Sequence, residues 1–96
     1  MLILVTYDVE TITKAGQKRL RDVAKVCQDD GQRVQNSVFE CAVDEAHFTI
    51  LKAQIEKIIN KNADSVRFYI LGNNWHRKVI SIGKVTSFNI EGELII

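Results

Sequence analysis

The hydrophobic period changes repeatedly along this chain, and that alternation limits its fold more than any other feature. Leu20, Val23, Ala24 and Cys27 recur at the spacing of one helix face. So do Phe48, Leu51, Ile55, Ile58 and Ile59. Between and around these stripes the pattern turns strand-like. The opening Met1–Val5 is wholly apolar and runs into Thr6, Tyr7 and Asp8, which predicts a central strand over 2–8, buried on both faces. "TITKAG" reads as a loop and 16–30 as a helix, with Gly31 suited to a left-handed cap at its end.

In "QRVQNSVFECAVD", Ser37, Phe39, Cys41 and Val43 alternate with Val38, Glu40 and Ala42, the period of two of a strand. "QN" is placed to bend this stretch into two pieces. Asp44 is an N-cap for the second helix, which ends near 60–62. "SVRFYIL" is a β-branched and aromatic strand over 65–71, "GNN" a turn and "KVISIG" a further short strand.

The order is therefore β-α-β-β-α-β with an extension, an α+β, ferredoxin-like sandwich. Two helices cover one face of an antiparallel sheet and leave the other to solvent, ligand or a second subunit. We expect one domain over residues 1–96, with a core of about 1–82 and a dimer-exchange segment of about 83–96. In that segment Leu94, Ile95 and Ile96 would be costly to expose together and are suited to adding a strand to a neighbouring sheet edge.

Composition excludes some classes. With 46% hydrophobic and 26% charged residues the chain is that of a globular domain. No apolar run approaches the ~20 residues of a membrane span, and no signal peptide is visible, so a cytoplasmic location without membrane contact is expected. A net charge of +1 does not announce nucleic acid. Its distribution is uneven, however, because Lys14, Lys18, Arg19, Arg21, Lys25 and Arg33 cluster early, partly offset by Asp22, Asp29 and Asp30. A twofold dimer would concentrate such a patch; a solvated helix face is the simpler reading of the charges alone.

Few residues suggest chemistry. Cys27 and Cys41 lack metal-ligand spacing and read as buried small hydrophobes. His47 and His76 have no partner at ligand spacing, and Trp75 suits either an interface or its own subunit. No catalytic triad, phosphate-cradling glycine loop or glycine-aromatic RNA-recognition signature is present. Asp8, at the mouth of a central strand with Glu10 nearby, is either a turn acid or one half of a metal site. Mg²⁺ often takes only one or two carboxylates, with water and phosphate completing its shell, so two copies of Asp8 across a twofold axis would suffice. Tyr7 faces the opposite side of the strand. Tyr7 and Phe39 taken alone are core-type residues, although arginine and aromatic side chains on a sheet also hold phosphates and stack bases.

"LVTYDVE", "GQRVQNSVFEC" and "RFYILGN", in this order, resemble the CRISPR-associated Cas2 family over nearly the whole chain, and the middle block is the most specific. The basic "NNWHRKV" loop and the apolar terminus fit as well. The resemblance implies a homodimer with the C-terminal segment swapped onto the partner's sheet, and divalent-metal-dependent endonuclease cleavage of DNA or RNA in spacer acquisition. It implies Asp8 as the catalytic and metal-binding residue, with Mg²⁺ or Mn²⁺ as cofactor. Tyr7, Arg33 and Phe39 become the accompanying nucleic-acid residues, and Arg19 and Arg21 match a basic region more loosely. It also implies a partnership with the CRISPR integrase Cas1 and with double-stranded DNA, with RNA as the alternative nucleic acid. The alternative is a non-catalytic adaptor that bridges the integrase and holds DNA; an RNA-cutting toxin on the same fold is a third possibility.

Overall fold

The structure, a computed structural model, describes residues 1–71 and 78–84. The elements are β1 (Leu2–Asp8), α1 (Lys14–Asp30), β2 (Gly31–Gln35), β3 (Val38–Ala42), α2 (Glu45–Ile58), β4 (Ser65–Leu71) and β5 (Lys78–Gly83). They form one antiparallel sheet in the order β2-β3-β1-β4-β5. Its first four strands have the ferredoxin-like arrangement, with β5 added beyond β4. The "GNN" turn, Trp75, His76 and the exchange segment from residue 85 onward lie outside the described residues.

Both helices lie on one face of the sheet. Ile3, Val5 and Tyr7 of β1, Phe39 and Cys41 of β3, and Val66 and Phe68 of β4 point into that layer, where Val23, Cys27, Leu51 and Ile55 meet them. Phe48 of α2 meets Phe68 edge-on, with ring centroids 5.5 Å apart. Leu2, Leu4, Thr6 and Asp8 face the other way and remain partly or fully exposed. The apolar run of β1 predicted burial on both faces; among the described residues only the helix side of β1 is buried.

The local signals explain most element ends. Asp44 caps α2 as expected, its carboxylate accepting the His47 N–H at 2.7 Å. α1 starts two residues earlier than its apolar stripe suggested, because Thr13 caps it by accepting the Gly16 N–H at 3.0 Å. Gly31 is no left-handed cap. Its backbone is extended (φ −163°) and passes directly into β2. Glycine is needed there for close approach, because a Cβ would stand 2.6 Å from the Cys41 sulfur and collide with the Glu40 carbonyl. Between β2 and β3, Asn36 and Ser37 make the turn, and a bulge at Val34 shifts the register between Arg33 and Gln35.

Cys27 and Cys41 are fully buried and unpaired, with the Cys41 thiol directed at the Cys27 carbonyl. Burial pushes the Cys27 thiol up to about 12 and the Cys41 thiol to about 11, reinforced by neighbouring acidic groups. The reactive thiolate is therefore scarce in the native protein. At pH 8 a thiol-specific reagent should label the urea-unfolded chain fully and the native chain not at all over the same interval. Rapid labelling of native protein would show that the layer between α1 and β3 opens.

Candidate functional site

The face of the sheet away from the helices is the one on which Asp8 is accessible. Its rows follow from the register. Leu2 lies between Ala42 and Leu71, Leu4 between Glu40 and Tyr69, Thr6 between Val38 and Arg67, and Asp8 beside Ser65. β5 extends these rows with Val79, Ser81 and Gly83. One end of the face is thus apolar and the other, around Asp8, Ser65 and Arg67, is polar.

Asp8 is exposed at the end of β1. Among the described residues no donor or cation meets its carboxylate. Nor do the described residues contain a group of three His, Cys, Asp or Glu side chains able to hold a metal ion. Among the described residues Asp8 therefore lacks the ligand set to hold a divalent cation alone, and a second copy of Asp8 or substrate phosphates would add the missing oxygens. Nothing in the donor chemistry opposes Mg²⁺, which takes few protein oxygens.

The remaining expected site residues do not gather around Asp8. Tyr7 is 5% exposed and Phe39 0%, both on the helix side of the sheet. Their rings stack with centroids 6.1 Å apart. Arg33, exposed on edge strand β2, lays its guanidinium over Phe39 at 5.1 Å from the ring centroid. These three residues do meet, but as a stack in and over the core, on the face opposite Asp8. The Tyr7 hydroxyl donates to the Asn36 carbonyl at 3.4 Å. Its pKa is raised, by burial first and by Cys27 second, with Arg33 acting in the other direction. Arg21 is exposed on α1, where it forms one stripe with Lys14, Lys18 and Lys25 at helical spacing. Lys18 also pairs with Asp22 at 2.6 Å.

Arg19 is not on that stripe. Its side chain is 18% exposed and its guanidinium meets Asp64, which is fully buried. Nε donates to Asp64 Oδ2 at 2.8 Å and Nη2 to Oδ1 at 3.4 Å. The same carboxylate accepts the Glu10 N–H at 3.0 Å and the Asn60 N–H at 2.9 Å. Burial alone would raise this carboxyl; the hydrogen bonds from Arg19, Asn60 and Glu10 and the Arg19 charge outweigh it, and the pKa lies below the ordinary value. Sequence reasoning missed Asp64, because "NADSV" reads as a loop acid and its partners are distant in the chain. It also missed Arg67, although alternation with Val66 and Phe68 assigns it to the face away from the core.

Comparison with known proteins agrees with this architecture. Residues 1–79 match the family model described as CRISPR-associated protein Cas2. The chain belongs to the Cas2 family. It is 54% identical over 95 residues to a protein of Rhodospirillum rubrum named CRISPR-associated endoribonuclease Cas2 3, covering 99% of this chain and 100% of the relative. It is also 54% identical to the CRISPR-associated endonuclease Cas2 of Halalkalibacterium halodurans, with 99% of each chain covered. Among solved structures, Streptococcus pyogenes Cas2 at pH 6.5 superposes with a TM-score of 0.72 at 61% identity, covering 78% of this chain and 90% of that one. A Thermus thermophilus hypothetical protein gives 0.64 at 28% identity, covering 88% and 94%.

In this Cas2-family chain the buried pair has a measurable signature. Replacing Asp64 with Ala leaves a largely buried guanidinium and two backbone N–H groups without their acceptor, and should cost about 3–5 kcal/mol of stability. Because the folded pKa is depressed, the stabilisation is complete above the ordinary carboxyl value and is lost as pH falls through the folded one. The stability difference between wild type and Asp64→Asn should thus be constant above about pH 4 and shrink below it. Chemical denaturation at several pH values measures this, and a difference that grows in acid would refute it.

Proposed function

We propose that this Cas2-family chain is a metal-dependent nuclease that acts as a homodimer on phosphodiester bonds of DNA or RNA during CRISPR spacer acquisition. The observation that carries the proposal is the placement of Asp8. It is an exposed carboxylate without a partner among the described residues, on the one sheet face that the helices leave uncovered. The relatives' names, endoribonuclease and endonuclease, support the reaction class and leave the choice of nucleic acid to experiment.

The dimer follows from the same face. Leu2 and Val79 are 37% and 36% exposed there, and Leu4, Val38, Tyr69 and Leu71 are half-buried. A second copy covering this patch would remove apolar surface from water at both faces and bring two Asp8 side chains to one interface. Two carboxylates held close repel each other, so together they form an acceptor set suited to a cation. A divalent cation bound there, Mg²⁺ or Mn²⁺, would supply charge neutralisation at the phosphate and a more acidic water. Asp8 would hold it through carboxylate oxygens. The stripe of Lys14, Lys18, Arg21 and Lys25 would hold phosphates by charge, and Arg33 is placed to add a further contact from the sheet edge. The swapped C-terminal segment, the CRISPR integrase as partner and a cytoplasmic location belong to the same proposal. Among the described residues no helix is long and apolar enough to cross a membrane.

The deciding experiment incubates the protein with duplex DNA and with RNA, with Mg²⁺ and with chelator. Asp8→Asn should lose at least about 100-fold in cleavage rate, equivalent to about 2.7 kcal/mol, and chelator should do the same to wild type. Equal cutting by the variant would remove Asp8 from the reaction and leave the DNA-holding adaptor as the better account.

The interface is tested separately. Leu4→Arg places a charge on the apolar part of the open face without entering the core. Sedimentation should give twice the chain mass for wild type and one chain mass for the variant. A dimeric variant would show that the subunits meet elsewhere.

A further inference from the structure

We infer that Asp64 and Arg19 are positioning residues for Asp8: their buried ion pair grips the Glu10 peptide and so fixes the end of β1 from which the Asp8 carboxylate projects. This rests on the reading of Asp8 as the reacting-site carboxylate. It assigns Arg19 a task other than holding phosphate.

The grip has two sides. The Glu10 N–H is held by Asp64 Oδ1 at 3.0 Å. The Glu10 carbonyl packs against Gly16 in the first turn of α1, so closely that a Cβ on Gly16 would collide with it. Asp8 lies two residues earlier, and its own strand partner is Ser65, the residue after Asp64. Asp64 therefore reaches both sides of Asp8, through the chain to Ser65 and through its carboxylate to Glu10.

Asp64 is itself held firmly. Its carboxylate takes Arg19 Nε at 2.8 Å and the Asn60 N–H at 2.9 Å. Its carbonyl takes the Lys84 N–H at 2.6 Å. Gly83 next to Lys84 has φ +96° and lets the chain pass close against that carbonyl, where a side chain would not fit. Arg19 is the counter-charge that makes the buried carboxylate tolerable. Without the pair, the chain after Asp8 would keep the buried Val9 side chain and the packing of the Glu10 carbonyl on Gly16 but lose the hydrogen bond at the Glu10 N–H, and a strand end with fewer ties opens more readily. A site that depends on one carboxylate per subunit would lose geometry directly.

The test compares wild type, Arg19→Gln, Asp64→Asn, the double variant and Arg19→Lys. For each protein it measures kcat and KM for cleavage, metal-free nucleic-acid affinity against salt, and amide exchange at Val9, Glu10 and Thr11, with core amides of Val5 and Phe39 as internal reference. Positioning predicts that each single variant lowers kcat about 10–100-fold, as loss of a group supporting a ligand does. The double variant should fall no further than the singles, since residues of one network do not add. Nucleic-acid affinity and its salt slope should stay the same, Glu10 exchange should accelerate more than the reference amides, and Arg19→Lys should recover part of kcat.

A phosphate contact predicts the opposite pattern. Arg19→Gln alone would weaken binding and reduce the salt slope by about one, while Asp64→Asn would not, and that result overturns the inference. Equal acceleration of exchange at Glu10 and at the reference amides also overturns it, because the pair would then serve global stability only. If wild type fails to cleave, or Asp8→Asn cuts normally, the nuclease reading fails by itself. The exchange data then decide the grip: selective acceleration at Glu10 supports it, and no acceleration overturns it.

Discussion

A fully buried carboxylate is the constraint around which this small fold is arranged. Asp64 collects donors from the loop after β1, from α1 and from the loop after α2, and its own carbonyl collects a fourth from the end of β5. No buried side-chain polar atom among the described residues is left without a partner. That completeness matters, since a half-satisfied network in a low-dielectric interior is worse than an apolar one. The apolar layer between sheet and helices supplies the favourable burial. The Asp64 network supplies direction, because hydrogen bonds specify which peptide meets which side chain and hydrophobic contact does not.

The sheet also divides the chain's chemistry. Tyr7, Phe39 and Arg33 form a stack on the helix side, whereas Asp8 and Arg67 belong to the open side. The basic stripe of α1 lies on the outer surface of the helix layer. Under the proposed function, nucleic acid held along that stripe would meet the helix side of the sheet, and Asp8 opens on the other side.

Much of this was legible in the sequence. The period of two placed β3 and the β-branched and aromatic composition of "SVRFYIL" placed β4, and the apolar stripes of both helices face the core as expected. Asp44 announced its cap by chemistry alone. The failures share a cause: the deciding partner lay far away in the chain. The glycine at Gly31 answers to Cys41 and Glu40 across a strand pair and not to the helix before it. Arg19 looked like one of several cations because its partner lies 45 residues on. The apolar run of β1 predicted two buried faces, and among the described residues only the helix side of the strand is covered.

The aromatic stack shows how a residue can follow a family pattern and still have its first effect through the fold. Tyr7 and Phe39 are too deeply buried to offer a ring face to a base without opening the core. Phe39 instead pairs with Val5 across the β1–β3 ladder and with Arg33 across the β2–β3 ladder. It thereby connects the edge strand to the strand that ends in Asp8. Arg33 sits over this ring with its guanidinium carbon 5.1 Å from the centroid, and its guanidinium carries five N–H donors. One arginine can therefore place its charge against a core ring and still bring several donors to the sheet edge, whereas lysine, a compact point charge on a flexible stem, lacks the rigid fork of donors.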